Sequence, residues 1–264
     1  MRAFLVILSA MSWASSRRTF IVLLLVGAAV LVIAGFLIAT FYNPPSCSDG
    51  KQNQDEEGID CGGSCALLCT PSVVPPVVSF VRELPQQGGR LDIIAYIKNP
   101  NPFAAAKDVR YEIEFLGENG TPVGSTSGRV DLPPAANVPI FIPNALSAGQ
   151  FVRQSFLTFD EASFRWYEIE DGELDLFTVE DITTANLEES PRVTAILNNP
   201  SVHAYRNVKV VATVFDTSGN AMAASQTLVA SLPAQGEAPL VFTWNTPFRE
   251  APARIDITPV YELP

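Results

Sequence analysis

The first pattern along the chain is an unbroken apolar run over residues 20–41, which contains no charged side chain. At about 1.5 Å per residue, a helix of this length spans roughly 33 Å, close to the hydrocarbon thickness of a bilayer. A soluble core helix has a polar face, and this run has none. The pattern predicts a transmembrane helix over residues 20–41.

The flanks of this run predict its orientation. Arg17 and Arg18 come directly before it, and no basic residue follows until Lys51. Because basic residues are retained on the cytoplasmic side, residues 1–19 are predicted to form a cytoplasmic arm. The sequence thus predicts a single-pass protein of the cell membrane with an extracytoplasmic C-terminal region.

A cleaved signal peptide is the alternative interpretation of the run. The run is longer than a usual signal core, and bulky Leu37 and Ile38 stand where a cleavage site needs small residues. An uncleaved anchor is the favoured interpretation. The true start of the chain stays open, since both Met1 and Met11 precede the run.

After residue 77 the pattern becomes typical of β-strands. Between residues 109 and 115, apolar side chains at odd positions alternate with Arg and Glu at even positions. This period of two predicts a strand in a sheet with one face in water. Asn119-Gly120 and Ser218-Gly219 are typical turn sequences between such strands.

A repeat with a period near 100 residues organises these strands. Residues 90–100 match 192–200, residues 107–120 match 206–219, residues 132–133 match 232–233, and residues 138–142 match 238–242. Short strands with Pro-rich edges favour two tandem immunoglobulin-like β-sandwiches, over residues 77–180 and 181–264. Neither copy contains cysteine, so Trp244 and the Phe residues are expected to fill the cores.

The net charge of the chain limits the kinds of molecule that it is expected to bind. The 264 residues carry 28 acidic and 17 basic side chains, a net charge of −11, and no acid precedes Asp49. An acidic region with few basic residues disfavours binding to nucleic acid or to an anionic lipid surface.

Residues 42–76 are predicted to be a Cys-rich acidic segment followed by a Pro-rich connector. The four cysteines are Cys47, Cys61, Cys65 and Cys69. An even number of cysteines outside a membrane predicts two disulfides, with three connectivities open. Zinc is the alternative, but zinc sites favour paired C-x2-C spacing, which is missing here.

The same segment is rich in oxygen ligands. Asp49, Asn53, Asp55 and Asp60 are candidate Ca²⁺ ligands, although their spacing does not match an EF-hand. The alternative is a polar loop in which Asp and Asn side chains cap turns. Apart from Ca²⁺, the sequence predicts no cofactor.

Two family resemblances follow from these motifs. The pattern Cys-x-Asp-Gly-x-x-Asn-x-x-Glu-x-x-x-Asp-Cys-Gly-Gly-x-Cys, from Cys47 to Cys65, resembles a motif of bacterial extracellular and envelope proteins. The strand ending in Val214-Phe215-Asp216 resembles FxLYD and late-embryogenesis-abundant-like sandwich modules, with a weaker match at residues 115–117. The whole chain is similar to an uncharacterised family of membrane-anchored envelope proteins. Such modules imply structural or interaction roles.

Catalytic patterns are missing from the sequence. His203 stands alone in a loop, and there is no HExxH, GxSxG or phosphate-binding glycine loop. The prediction is a non-enzyme whose partners are the lipid bilayer and other envelope proteins. Alternatives are a module that binds Ca²⁺, carbohydrate or peptide, and an accessory subunit of a secretion or pilus machine. The oligomeric state stays open.

Overall fold

The computed structural model describes residues 13–41, 46–53, 55–146, 151–169, 174 and 176–263. The chain divides into two compact units, Met1–Asp49 and Gly50–Pro264. Both candidate start residues, Met1 and Met11, lie outside the described residues, as does most of the predicted arm.

The first unit contains helix α1, Trp13–Phe41. Its stretch Arg17–Thr40 has a mean hydropathy of 3.2, and none of its most apolar window is buried against protein. The predicted apolar helix is confirmed, and it begins seven residues earlier than residue 20. It is long and apolar enough to cross a bilayer, and a signal sequence has the same properties.

The second unit is built of antiparallel strands. The strands of its first half are β1 (Val77–Pro85), β2 (Leu91–Lys98), β3 (Ala104–Leu116), β4 (Pro122–Leu132), β5 (Asn137–Leu146), β6 (Gln154–Phe159) and β7 (Trp166–Glu168). Those of its second half are β8 (Thr178–Ala185), β9 (Arg192–Asn198), β10 (Tyr205–Phe215), β11 (Ala221–Leu232), β12 (Glu237–Thr243) and β13 (Arg254–Val260). The predicted all-β class is confirmed.

Each half is a pair of facing sheets. In the first, β1-β2-β5 faces β4-β3-β6, with β7 also pairing to β3. In the second, β8-β9-β12 faces β11-β10-β13. The strand order is therefore the same in both halves. Strand β8 pairs with β9 and belongs to the second half, so that half begins at Thr178, before the predicted boundary at residue 181.

The alternating pattern explains how each core forms. In β3, Val109, Ile113 and Phe115 are fully buried between the two sheets, and Tyr111 is buried with them. The alternate residues Arg110, Glu112 and Glu114 are exposed. The second core contains Phe242 and Trp244, and the Trp244 indole Nε1 donates to the Ala224 carbonyl at 3.0 Å. The predicted aromatic filling of the second core is confirmed.

A buried asparagine closes one end of each sandwich. The Asn99 amide Nδ2 donates to the Ala104 and Pro133 carbonyls at 2.7 and 2.8 Å, and its Oδ1 accepts from the Asn101 N–H at 3.1 Å. Asn199 repeats this arrangement in the second sandwich, tying the β9–β10 loop to the β11–β12 loop. The repeated Asn-Pro sequences thus mark turns. Each also provides a buried asparagine, here called a clasp, whose side-chain hydrogen bonds tie two loops together.

Candidate functional site

The cysteine segment is a disulfide-bonded structure. Cys61 and Cys69 form a disulfide with a Cα–Cα distance of 5.0 Å. Cys47 and Cys65 are also disulfide-bonded, and no cysteine is free in the described part of the chain. The prediction of disulfides is confirmed. Because a bonded sulfur is not a thiolate, these cysteines are not available to bind zinc.

This segment packs against the first sandwich. The Leu68 N–H donates to the Trp166 carbonyl at 2.8 Å, and the Leu68 side chain contacts the first core. The Asn101 side chain exchanges two hydrogen bonds with the backbone of Val74, at 2.9 and 2.7 Å. The segment from Gly50 onward is therefore part of the β-rich unit.

Close backbone packing explains the two adjacent glycines of the motif. Gly62 and Gly63 both have positive φ, at 74° and 60°. A Cβ at Gly63 would lie 2.1 Å from the Asp55 carbonyl oxygen, and one at Gly62 would lie 2.6 Å from the Glu57 Cβ. Only glycine fits both positions without moving the loop.

The four candidate calcium ligands have separate surroundings. The Asp60 carboxylate accepts from the Gly50 N–H at 3.0 and 3.1 Å, and Asp55 accepts from the Ser64 hydroxyl at 2.9 Å. The Asn53 amide donates to the Lys51 carbonyl at 3.3 Å, and Asp49 is exposed. Among the described residues, no three carboxylates place oxygens within 4.8 Å of one another. Asp55 and Asp60 thus join positions nine and ten residues apart in the loop instead of capping a local turn, and calcium binding stays a prediction.

Removing the Cys61–Cys69 disulfide is expected to loosen this segment selectively. Its loop of about nine residues is worth about 2.6 kcal/mol in the chain-entropy model. In the double variant Cys61→Ala/Cys69→Ala, a protease should cleave between residues 55 and 69 faster than in the wild type. Mass spectrometry of the fragments would measure this.

The control is Ile59→Ala, which changes an exposed side chain of the same loop. If the double variant were cleaved no faster than this control, the disulfide would not be what orders the segment.

His203 lies beside a serine. The Ser201 hydroxyl is 3.3 Å from His203 Nδ1 and accepts from the His203 backbone N–H at 2.9 Å. Ser201 is 8% exposed, and its loop is held by the Asn199 clasp. This contact is typical of a serine that caps a turn, because an attacking nucleophile must be reachable by substrate.

The two sandwiches share a third apolar cluster. Ile94 and Tyr96 on the outer face of β2 pack against Val211, Phe215 and Ala224 of the second sandwich. Strand β2 thus buries both faces, whereas β3 has the single wet face that its alternation predicts. The two sandwiches therefore belong to one compact unit.

An aromatic and polar network lies in this cluster. The ring centroid of Phe215 lies 6.3 Å from that of Phe80 and 6.4 Å from that of Tyr96, and the Arg254 guanidinium sits 4.1 Å above the Phe215 ring. The Tyr96 hydroxyl hydrogen-bonds to the Thr213 hydroxyl at 3.0 Å. Burial raises the pKa of Tyr96, so its phenol stays neutral and keeps this bond.

A cleft of about 510 Å³ lies beside the shared cluster. Its apolar lining includes Phe141 and Leu228. Its charged lining residues are Lys107, Arg129 and Lys209 and, of opposite sign, Asp108, Asp131 and Glu262. Because the cleft is lined by three basic and three acidic side chains, their charges do not favour a ligand of either sign.

No known family model and no curated protein matches this chain. Among solved structures, it is similar to a beta-glucuronidase from glycoside hydrolase family 2, with 12% identity, a TM-score of 0.22, and coverage of 62% of this chain and 21% of that one. It is also similar to red sea bream transglutaminase, with 14% identity, a TM-score of 0.23, and coverage of 71% and 29%. The chain thus spans less than a third of either structure. Likeness at this level carries no argument about activity.

Sequence reasoning missed the shared cluster, although a signal for it exists. Residues 93–97 read Ile-Ile-Ala-Tyr-Ile, an uninterrupted apolar run. Such a run is typical of a strand that is buried on both faces. The docking of the cysteine segment has no comparable signal, because Leu68 and Trp166 are almost a hundred residues apart.

Proposed function

We propose that this chain is a single-pass, membrane-anchored, non-enzymatic envelope protein whose β-rich region engages other envelope proteins. The observation that carries the proposal is an apolar helix, Arg17–Thr40, followed by a disulfide-bonded β-rich unit. Disulfides persist in oxidising compartments, so the β-rich region belongs outside the cytoplasm. The basic flank of the helix supports a cytoplasmic N-terminus.

The strand order supports the assignment of two copies of one immunoglobulin-like module. Both halves combine a three-stranded sheet with a facing antiparallel sheet in the same order. Asn99 and Asn199 make equivalent buried hydrogen bonds in the two halves. Duplication of one unit accounts for both observations.

The surroundings of the polar residues support a non-enzymatic role. Ser201 is engaged in its own turn, and Asp55 and Asp60 accept hydrogen bonds from other residues of the cysteine segment. Beyond these contacts, the structural or interaction role rests on analogy with other β-sandwich modules.

Alkaline carbonate extraction tests the anchor. The wild-type chain should stay in the membrane pellet with residues 20–41 intact by mass spectrometry. Leu31→Arg should lower retention, because arginine at a helix centre costs about 2.5–3.5 kcal/mol on insertion, whereas leucine favours it. Leu31→Val is the matched control and should behave like the wild type.

Recovery of a soluble chain cleaved within residues 37–45 would show that the helix is a signal sequence. The interaction role has its own test, in which cross-linking in intact cells precedes mass spectrometry. Recovery of no protein partner by that method would argue against it.

A further inference from the structure

The two disulfides of the cysteine segment differ in their exposure to solvent. The Cys61–Cys69 bond is covered, because Cys69 is 6% exposed and Gly58 lies against both sulfur atoms. A Cβ at Gly58 would lie 2.9 Å from the Cys61 Sγ atom and 3.0 Å from the Cys69 Sγ atom. The other two bonded cysteines are Cys47, which is exposed, and Cys65, which is half-buried. Their disulfide is therefore within reach of small molecules in solution.

A buried carboxylate lies beside the exposed disulfide. Glu56 is 8% exposed, and its Oε1 atom is 3.3 Å from the Cys65 Sγ atom. Because a bonded sulfur carries no proton, this approach is a contact without a hydrogen bond. The Glu56 carboxylate thus faces the sulfur atom of Cys65 directly.

The surrounding loop holds Glu56 in this position. The Glu56 Oε2 atom accepts from the Asn53 N–H at 3.1 Å, and the Glu56 N–H donates to the Asn53 carbonyl at 3.2 Å. The Gln52 side-chain Nε2 donates to the Glu56 and Glu57 carbonyls, both at 3.1 Å. Both the side chain and the backbone of Glu56 are therefore fixed by hydrogen bonds.

The space in front of Cys65 is acidic. A pocket of about 430 Å³ reaches Cys65, and its charged lining residues are Glu57 and Glu168. Within the described part of the chain, no basic side chain lines this pocket. Residues 47–69 carry five acidic side chains and one basic side chain, that of Lys51. An anion that approaches Cys65 through the pocket meets charges of its own sign.

Reduction of a disulfide by a small thiol places negative charge on sulfur in each step. A thiolate attacks one sulfur and forms a mixed disulfide, and the electron pair of the broken bond leaves on the other sulfur as a thiolate. A second thiolate attacks the mixed disulfide and releases the remaining protein sulfur. Two small thiols are thereby oxidised to one disulfide, and the two reduced cysteines take up protons from water.

Glu56 opposes both directions of attack on the exposed disulfide. Attack at Cys47 expels a thiolate on Cys65, at the sulfur that lies 3.3 Å from the Glu56 carboxylate. Attack at Cys65 brings the incoming thiolate through the acidic pocket towards the same carboxylate. Like charges repel more strongly beside a buried group than in bulk water, so both routes are slowed.

We propose that Glu56 is a protecting residue that slows reduction of the exposed Cys47–Cys65 disulfide by small thiols. The two disulfides of the segment are then preserved by different means, one by covering backbone and the other by negative charge. This inference goes beyond the proposed function and does not depend on the membrane anchor.

Thiol exchange followed by mass spectrometry tests the role of Glu56. Purified full-length chain in a non-ionic detergent is incubated with mercaptoethanol, alkylated at intervals, and analysed for labelling at each cysteine. Glu56→Gln keeps the shape of the side chain and removes its charge. It should raise the rate constant for Cys47 and Cys65 about tenfold, which lies between the effects of a like-charge contact in water and near a protein surface. The rate constant for Cys61 and Cys69 should stay the same.

The control is Glu118→Gln, which removes an exposed carboxylate from the β3–β4 turn and should behave like the wild type. Equal rate constants in Glu56→Gln and the wild type would overturn the proposal. Equal acceleration of both disulfides would also overturn it, because that result indicates a loosened loop.

A second measurement needs the wild type alone. Rate constants per thiolate are compared for cysteamine, which is cationic, and mercaptoethanesulfonate, which is anionic. The ratio of the first to the second should be at least about fivefold larger in the folded chain than after urea unfolds the β-rich unit, since folding assembles the acidic surroundings of Cys65. An equal ratio in the two states would contradict protection by charge.

Discussion

Phe215→Ala is expected to lower the free energy of unfolding by about 3–5 kcal/mol, the usual cost of removing a buried aromatic ring. Phe215 is 2% exposed and lies where the two sandwiches meet. Its loss removes contacts with Phe80, Tyr96 and Arg254. Because each sandwich keeps its own core, the two should then unfold in separate transitions. Urea denaturation followed by circular dichroism, together with calorimetry, measures both effects.

The control for this prediction is Phe156→Ala. Phe156 is also a phenylalanine on a strand, but it is 43% exposed on β6. A change at such a site usually shifts stability by within about 0.5 kcal/mol. If Phe215→Ala behaved like Phe156→Ala, the shared cluster would contribute nothing to the coupling of the sandwiches.

Asn99→Ala is expected to cost about 3 kcal/mol or more. The substitution leaves the Ala104 and Pro133 carbonyls and the Asn101 N–H without their partner. Each unsatisfied buried group costs about 1–3 kcal/mol. Because Asn99 is fully buried, water cannot replace the lost amide without opening the loop. The midpoint of a urea titration gives the change in stability.

The same substitution in the second copy is an internal comparison. Asn199 donates to two carbonyls, at His203 and Pro233, whereas Asn99 also lies 3.2 Å from the Leu132 carbonyl. Asn199→Ala should therefore destabilise in the same direction, by somewhat less. Asn137→Ala, at an exposed asparagine in β5, should be nearly neutral. Equal midpoints for Asn99→Ala and Asn137→Ala would contradict the role of the clasp.

Local features of the fold were predictable because each is encoded within a few neighbouring residues. The apolar run over residues 20–41 predicts the helix, and the alternation in β3 predicts a strand with one solvent-exposed face. The even number of cysteines gives two disulfides, although their pairing stays open in the sequence. The Asn-Pro sequences were recognised as turns, but their burial depends on carbonyls more than 30 residues away.

Contacts between distant parts of the chain were not predictable in this way. The Tyr96 and Thr213 hydroxyls meet across 117 residues of sequence. The uninterrupted apolar run of β2 indicates that both of its faces are buried, but nothing within β2 reveals which distant strand covers the second face. The candidate calcium ligands illustrate the same limit, since sequence proximity of Asp49, Asn53, Asp55 and Asp60 does not decide which way their oxygens point.

The Cys61–Cys69 disulfide also sets how the chain responds to tension. Eight residues of extended chain reach about 27 Å, whereas the bonded cysteines hold their Cα atoms 5.0 Å apart. While the bond is intact, residues 61–69 cannot lengthen when the chain is pulled. Because Cys65 within this stretch is itself disulfide-bonded, the whole stretch can extend under force only after both bonds are reduced.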